Sequence, residues 1–184
     1  VWVNVAVSPL RDTTGRFERL IAVFEDITAR KRAEQAVQER EHRVRRVLER
    51  MPAGTYLCDR HGLITYFNHH AEALWGRAPK LNDPIDRYCG SFKLFAADGT
   101  PINHSECWMA LALRDETAYD GKEIIIERPD GKRVTVLAHA NPIWGDDDEL
   151  IGAVNVLVDI SDRKHAEQSL RESEDRFRHL ADNV

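Results

Sequence analysis

Histidine and cysteine are the residue types in this sequence with the chemistry to bind a transition metal. His104 and Cys107 form a His-x-x-Cys pair, whereas Cys58 and Cys89 lie in other parts of the chain. Structural zinc sites usually combine two such pairs of ligands from separate places in the sequence. Because the second pair is missing, the spacing does not predict a metal site.

Aromatic residues are the second set of side chains that could form a binding site. The candidates for a small-molecule pocket are Tyr56, Tyr66, Trp75, Phe92 and Trp108. Ligand pockets are concave and lined largely by apolar and aromatic side chains. Aromatic side chains also fill ordinary hydrophobic cores. The sequence alone therefore leaves open whether these five residues surround a ligand or only pack the interior.

Motifs typical of catalysis are missing from the sequence. It contains no Gly-rich phosphate-binding loop, no nucleophile paired with a base and no paired-carboxylate motif. His179, in "FRHLADN", is similar to a phospho-acceptor histidine, but it aligns with Arg46 in the internal repeat described below. We therefore expect the chain itself to be non-catalytic, without ATP hydrolysis or autophosphorylation.

Composition excludes two classes of partner. The 184 residues carry 26 basic and 31 acidic side chains, a net charge of −5, and no basic stripe of the kind that holds nucleic-acid phosphates. No apolar run approaches the roughly 18 residues needed to span a bilayer. The 3 cysteines form no disulfide-scaffold pattern, which favours a reducing, cytoplasmic location.

Two long segments of the sequence are copies of one another. "DITARKRAEQAVQEREH", starting at Asp26, recurs as "DISDRKHAEQSLRESED", starting at Asp159. The same offset of 133 positions aligns residues 1–51 with 134–184 without a gap, and 15 of the 51 pairs are identical. The repeat is longer than the units of about 20–50 residues found in solenoids. It predicts domains in series: the tail of one, one complete unit and the start of a third.

The pattern of the central segment predicts the order β-β-α, an irregular stretch, α, then β-β-β. Asn68 can cap a first helix over 68–77, and Ser105 can cap a second over 105–116. Three strands separated by "PDG" and "GDDD" follow over 121–160. Consecutive hairpins imply an antiparallel sheet with helices on one face. The predicted fold class is therefore α+β, with five strands between residues 54 and 160.

A charged helix is predicted after each copy of the Asp-Ile-Thr/Ser segment. After Thr28 there is no Gly or Pro until Pro52, which allows about six helical turns. Its apolar heptad positions are Ala33, Val37, Val44, Val47 and Met51. Such a seam, although short and interrupted, suits pairing with a second helix. We therefore expect a homodimer formed through the linker helices.

The element order and several short motifs resemble the PAS domain with its C-terminal PAC motif. "NHHAEALWG" (68–76) is similar to the helix after the family's second strand. "ERPDGKR" (127–133) and "GAVNVLVDIS" (152–161) are similar to the PAC half. The implied division is a preceding PAC part at 1–31, a linker helix at 32–51, a complete PAS/PAC domain at 52–161, and a second linker helix with the start of a following domain at 162–184.

The resemblance implies a sensory or interaction module in a larger signalling protein, such as a bacterial sensor histidine kinase or a cyclic-di-nucleotide enzyme. Such a module binds a small ligand or dimerises, and passes the signal through linker helices to an output domain in the same chain. The resemblance gives the signal-coupling role to Asp26, Thr28, Asp159 and Ser161.

The residues themselves suggest a simpler local role for the same segments. The hydroxyls of Thr28 and Ser161 can cap free amides in the first turn of the following helix. The preceding aspartate can bond the neighbouring backbone or the nearby basic residues, which are Arg30, Lys31, Arg163 and Lys164.

Known cofactors of the family are not expected from these residues. Heme-binding members carry the iron ligand on the helix before the third strand, where this chain has only His104, at the edge. "RYCGSFKLF" (87–95) is similar to the cysteine-containing stretch of flavin-binding members, but the flanking Asn and Arg are missing, as is a glutamine in the later strands. The cofactor stays unidentified. The alternatives are a heme- or metal-dependent redox sensor using His104 and Cys107, and a ligand-free dimerisation domain.

Overall fold

The structure, a computed structural model, describes residues 1–181, except for the side chains of Glu18, Phe177, His179, Leu180 and Ala181. The chain divides between Val47 and Leu48 into two compact units. The last three residues of the segment predicted to begin a following domain, 182–184, lie outside the described residues. No helix in the described part is long and apolar enough to cross a membrane.

The first unit is a β-hairpin followed by a helix. Strands β1 (Val3–Arg11) and β2 (Phe17–Asp26) pair antiparallel, which confirms the predicted hairpin. Asp12 shapes the turn, because its carboxylate accepts hydrogen bonds from the backbone N–H groups of Thr14 and Arg16 at 2.8 and 3.0 Å. Helix α1 (Thr28–Glu49) follows directly.

As far as Ala181, the second unit contains one antiparallel sheet and three helices that follow α1. Its elements are β3 (Gly54–Asp59), β4 (Ile64–Phe67), α2 (His69–Trp75), β5 (Lys93–Phe95), β6 (Pro101–Ile102), α3 (Trp108–Asp115), β7 (Tyr119–Glu127), β8 (Arg133–Trp144), β9 (Leu150–Asp159) and α4 (Ser161–Ala181). Single 3₁₀ turns form at Pro84–Asp86 and His104–Glu106. The strand order across the sheet is β4-β3-β9-β8-β7-β5-β6.

The predicted α+β class and antiparallel sheet are confirmed, with two differences in detail. Short strands β5 and β6 extend the sheet beyond β7, in a stretch that the sequence predicted to be irregular. Leu94 is 2% exposed and pairs with Ile126. Its burial stabilises the short strand although Gly and Pro residues, which disfavour strands, lie nearby in the sequence. The second helix starts at Trp108 rather than at Ser105, because 104–106 form a separate 3₁₀ turn and Cys107 is extended.

The core lies between the sheet and helices α2 and α3. Alternate residues of β8 are buried, as the two-residue period of a strand requires when one face is covered. The largest fully buried side chains include Trp75, Tyr56, Ile64 and Met109. Asn68 caps α2 as predicted, its Oδ1 accepting the N–H of Ala71 at 2.9 Å. The core is thus a single cluster on one side of the sheet.

Candidate functional site: an interior cavity and a strand-to-helix joint

The interior of the second unit contains a cavity of about 10 Å³ between the sheet and α3. This is about the space that one water molecule needs. The lining residues are Tyr56, Cys89, Leu94, Cys107, Trp108, Ile124, Ile126, Ala138, Asn155 and Leu157. This cavity is therefore too small for an organic ligand in this arrangement.

The five aromatic pocket candidates do not all meet at this cavity. Tyr56 and Trp108 line it. Trp75 is fully buried beside it and packs edge-to-face on Tyr56, with ring centroids 5.0 Å apart. Tyr66 lies on β4, where its hydroxyl bonds Glu49 at 3.1 Å, and Phe92 is 46% exposed. The structure thus brings together three of the five candidates.

Asn155 is a polar cavity residue that was not among the five pocket candidates. It lies on β9, is 2% exposed, and its amide nitrogen donates to the Tyr56 hydroxyl at 3.1 Å. Its Oδ1 accepts the backbone N–H of His139, also at 3.1 Å. The strand pattern contained the signal, since Asn155 lies between Ala153 and Leu157 on the buried face. A polar residue at such a position must find partners inside the core.

The three cysteines are buried thiols around Tyr56. Burial is the main cause that raises the pKa of each, to about 12 for Cys107 and well above the usual range for Cys58. Burial also raises the pKa of Cys89. Thiols bind metals and attack electrophiles as thiolates, so neutral buried thiols are poor at both. No group of three or more potential metal ligands occurs within the described part of the chain.

His104, the second candidate for metal chemistry, lies in the 3₁₀ turn before α3. Its Nε2 is 3.2 Å from Ser91 Oγ and 3.0 Å from Ser91 O, so that nitrogen already has protein partners. The cavity beside Cys107 is far smaller than a porphyrin. The residues present therefore do not fit a heme or a metal ion in this arrangement.

The junction between β9 and α4 is a second candidate site, with its own set of contacts. Asp159 Oδ1 accepts the backbone N–H of Ser161 at 2.9 Å, where the helix begins. Ser161 Oγ accepts the backbone N–H of Thr135, on the neighbouring strand β8, at 3.1 Å. Thr135 O in turn accepts the N–H of Ile160 at 2.9 Å. We call Thr135, Asp159, Ile160 and Ser161 the output joint.

The first unit contains the same joint 133 residues earlier. Asp26 Oδ1 accepts the N–H of Thr28 at 2.9 Å, and Thr28 Oγ1 accepts the N–H of Trp2 at 2.8 Å. Trp2 O accepts the N–H of Ile27 at 3.0 Å. The repeat in the sequence is therefore also a repeat of hydrogen-bond geometry.

The joint corrects the local role predicted for its hydroxyls. The helix start is capped by the aspartate, whereas the hydroxyl of Thr28 or Ser161 bonds the neighbouring strand. The basic residues also pair elsewhere: Lys164 Nζ lies 2.7 Å from Glu123 on β7, and Arg163 Nε lies 3.6 Å from Glu167. Arg30 and Lys31 both bond Glu34, at 2.9 Å.

Comparison with known protein families covers the segments that lead into both joints. The family model of the PAS domain matches residues 1–29 and 52–162, which is most of the chain. The chain belongs to the PAS domain family. Both matched segments end at or just after a joint, at Thr28 and Ser161.

The chain is similar to a bacterial sensor protein and to several solved structures. Sensor protein FixL of Bradyrhizobium diazoefficiens is 33% identical over 75 residues, which are 41% of this chain but only 15% of FixL. The PAS domain of an HTR-like protein from Haloarcula marismortui has a TM-score of 0.51 at 19% identity, covering 71% of this chain and 99% of that one. The E. coli DhaR(N)–DhaL complex has a TM-score of 0.51 at 13% identity, covering 84% of this chain and 55% of that one. At these identities the two structures show a likeness of fold alone.

The second unit is therefore a PAS sensory domain with a filled interior. Its central strand β9 connects the two candidate sites, because Asn155 lines the cavity and Asp159 ends the strand at the output joint. Asp159 follows Asn155 by four positions on this one continuous strand, and α4 starts two positions later at Ser161.

Proposed function

We propose that this chain is a sensory and interaction module that transmits a signal from its PAS domain through α4 to an output domain, in a bacterial sensor histidine kinase. The observation that carries the proposal is the bond from Thr135 N–H to Ser161 Oγ at 3.1 Å. It attaches the first residue of α4 to β8, although β9 is the strand that continues into the helix.

The start of α4 is held by three adjacent strands. Asp159 belongs to β9, Thr135 to β8, and Glu123, which pairs with Lys164 at 2.7 Å, to β7. A relative movement of these strands must break a bond or move the helix. A switch requires an element with discrete arrangements that its contacts favour unequally. The joint supplies such contacts between sheet and helix.

We propose that PAS domains occur in tandem, with the division 1–31, 32–51, 52–161 and 162–184. The supporting observation is the surface of the first hairpin. In the complete domain, alternate residues of β8 and β9 are buried under helices. The equivalent residues of β1 and β2 are exposed, among them Val3, Val5, Val7, Leu20 and Phe24. Exposed apolar faces of this kind mark surfaces that pack against other elements. We infer that these elements are further strands and helices of a preceding PAS domain.

The proposed partner is a second copy of the chain, bound through the linker helices. Val37, Val44 and Val47 of α1 are 59%, 53% and 61% exposed, and they occupy the apolar heptad positions. Leu170 of α4, at the position equivalent to Val37, is 62% exposed. Pairing of helices would bury this seam. Nothing comparable covers it within the described chain.

Ligand binding and ligand-free signalling place different demands on the cavity. A space of about 10 Å³ holds no organic ligand unless α3 moves away from the sheet. In favour of a ligand, Trp108 has a buried indole N–H without a hydrogen-bond partner among the described residues. The filled interior favours the ligand-free form as the resting state. Catalysis is assigned to the output domain, and the free buried thiols suit a cytoplasmic location.

The test uses a full-length protein that carries this chain ahead of its output domain. Ser161→Ala removes the acceptor of the Thr135 N–H, and Asp159→Ala removes the helix cap at a cost of about 0.5–2 kcal/mol. Both should change the basal autophosphorylation rate of the output domain while the protein stays folded at the assay temperature. Ser169→Ala, at an exposed position of the same helix, is the matched control.

An unchanged autophosphorylation rate in both joint variants would contradict transmission through the joint. It would leave helix capping as the whole role of Asp159. A change that the Ser169→Ala control reproduces would count against the proposal equally, because that residue makes no joint contact.

A further inference from the structure

The last residues of α1, which belong to the second unit, are bound to β4 and to the start of α2. Glu49 Oε1 accepts the backbone N–H of His69 at 3.1 Å and lies 2.9 Å from His69 Nδ1. Glu49 Oε2 accepts the Tyr66 hydroxyl at 3.1 Å. Asn68 Nδ2 donates to Leu48 O at 2.9 Å. We call Leu48, Glu49, Tyr66, Asn68 and His69 the input clamp.

Asn68 connects the input clamp to the start of β3. Its Oδ1 accepts the backbone N–H of Thr55, and its own backbone N–H donates to Thr55 O, both at 2.9 Å. Beside it, Gly54 lies so close to α2 that an added Cβ would be 2.7 Å from Leu74 Cδ1 and 3.1 Å from Ala71 Cα. Atoms packed this closely move together. The end of α1, the start of α2 and the start of β3 therefore form one piece.

The strand register places this piece next to the output joint. Strand β3 pairs antiparallel with β9, and Gly54, where β3 begins, lies opposite Leu157. Strand β9 ends two positions later at Asp159, and α4 starts at Ser161. Neighbouring strands are about 4.8 Å apart. The input clamp and the output joint are thus attached to the two strands of one pair, at the same end of that pair.

We propose that the input clamp and the output joint are energetically coupled through the β3–β9 pair, so that a displacement of the last turn of α1 changes the population of the bond between Thr135 and Ser161. If that turn moves, Asn68 moves with it, and so does the start of β3. Strand β9 keeps its ladder bonds to β3 only if it follows, which shifts the start of α4 against β8. Packed interfaces respond to such small shifts by changing between discrete arrangements.

The two parts of the input clamp differ in strength. Asn68 is fully buried and makes four side-chain hydrogen bonds. The side chains of Glu49 and His69 are 45% and 58% exposed, and exposed ion pairs stabilise a fold only weakly. Substitution of Glu49 therefore loosens the clamp while Asn68 keeps the domain folded.

This inference goes beyond the proposed function, because it concerns how the PAS domain receives a signal and not how it delivers one. The output joint can drive α4 without any coupling to the input clamp. Conversely, the coupling can exist in this chain without an output domain. The proposed function fails on the autophosphorylation rate of a full-length protein, whereas this inference fails on amide exchange in the present chain.

The test is amide hydrogen exchange of this chain, followed residue by residue by NMR. Glu49→Ala should accelerate exchange of the Thr135 N–H, whose acceptor is Ser161 Oγ, by about two- to thirtyfold, the size typical of coupling within a protein. Glu49→Gln retains a carbonyl acceptor for the His69 N–H and should have a smaller effect. Ser161→Ala should in return accelerate exchange of the His69 N–H, because coupling between two sites acts in both directions.

Two controls separate this coupling from a general loss of stability. Glu72→Ala removes an exposed carboxylate of α2 outside the input clamp and should leave the Thr135 exchange rate unchanged. The Leu111 N–H of α3, which bonds Cys107 O at 2.9 Å, serves as the reference for exchange through unfolding of the whole domain. In Glu49→Ala its rate should change less than the rate of the Thr135 N–H.

An unchanged Thr135 exchange rate in Glu49→Ala would overturn the proposal. So would an equal acceleration at Thr135 and Leu111, because Glu49 would then stabilise the domain as a whole and not the joint. A Thr135 response in Glu49→Ala without any His69 response in Ser161→Ala would also contradict it, since coupling is reciprocal. An effect that Glu72→Ala reproduces would count against it equally.

Discussion

The hydroxyl of Ser161, at the start of α4, accepts the backbone N–H of Thr135, 26 residues earlier in the chain, at 3.1 Å. Without this bond the Thr135 amide, which is half-buried, would lack its partner at the end of the β8–β9 ladder. The contact therefore stabilises the sheet and positions the helix at once. Thr28 and Trp2 repeat it in the first unit at 2.8 Å.

Ser161→Ala should lower the free energy of unfolding of this chain by about 1–3 kcal/mol, because the Thr135 N–H loses its acceptor. Ser161→Thr should retain wild-type stability, since the first unit already uses threonine at the equivalent position. Chemical denaturation followed by circular dichroism measures both. Equal losses for Ala and Thr would show that the hydroxyl bond is not the cause.

Asn68→Ala should be among the most destabilising single substitutions. Asn68 is fully buried, accepts from Thr55 N and Ala71 N at 2.9 Å, and donates to Leu48 O and Ala53 O at 2.9 Å. Each buried group left without a partner costs about 1–3 kcal/mol. The measurement is equilibrium urea unfolding.

Asn103→Ala is the control for that substitution. Asn103 is exposed, and its side chain bonds Glu106 at 3.3 Å. Its loss should change stability by no more than about 0.5 kcal/mol. A similar cost for both variants would contradict the central role of Asn68 in the packing of β3, α2 and the end of α1.

Asp86 should contribute a pH-dependent part of the stability. Burial alone raises the pKa of this carboxyl, but hydrogen bonds from Lys80 N–H at 2.9 Å and from Arg77 outweigh burial and leave the pKa below its ordinary value of 3.8. A carboxyl whose pKa is lower in the folded than in the unfolded state stabilises the fold at pH values above its unfolded-state pKa. This stability is lost as the pH falls through the folded-state pKa. Asp86→Asn should therefore make the free energy of unfolding depend less on pH in the acid range.

The measurement compares urea midpoints of wild type and Asp86→Asn at a series of pH values from about 6 down to about 2. The difference between them should be largest at the upper end and shrink below pH 3.8. Glu72→Gln, at an exposed carboxylate of α2, should keep the wild-type pH dependence. A wild-type minus Asp86→Asn difference that is constant with pH would refute this role.

Val44→Glu should weaken dimerisation through α1. The substitution places a charge in the middle of the exposed apolar seam, where Val44 is 53% exposed. We expect the dimer dissociation constant to rise by about tenfold or more, equivalent to about 1.4 kcal/mol. Sedimentation equilibrium measures it. As a control, Gln38→Glu adds the same charge to α1 outside the seam and should leave the dissociation constant unchanged. A wild-type chain that is monomeric would refute the predicted dimer.

Leu157→Ala should test whether the interior is filled. Leu157 is 3% exposed and lines the cavity of about 10 Å³, so truncation should cost about 2–5 kcal/mol and leave an apolar void. Benzene should then raise the melting temperature of the variant, because dry apolar cavities of this kind bind it. Val158→Ala, at a 39% exposed position, is the control. Comparable stabilisation of the wild type by benzene would mean that an open pocket already exists.

Local patterns in the sequence predicted much of the fold. The hairpin of the first unit follows from alternating residues around a Gly-containing turn, and the start of α2 follows from Asn68. Turn residues in "PDG" and "GDDD" likewise predicted three antiparallel strands over 121–160. These features depend on neighbours within a few positions, whose periods of 2.0 and 3.6 residues are visible in the chain.

The sequence by itself also determined that the two joints are alike, because residues 26–28 and 159–161 repeat with the same spacing. Only the tertiary structure decided what their hydroxyls bind. The Ser161 hydroxyl reaches a strand 26 residues away, and Asn155 meets Tyr56 across 99 residues. Such contacts depend on strand register and on the packing of helices against the sheet, which place residues distant in the chain next to each other and leave no period in the sequence.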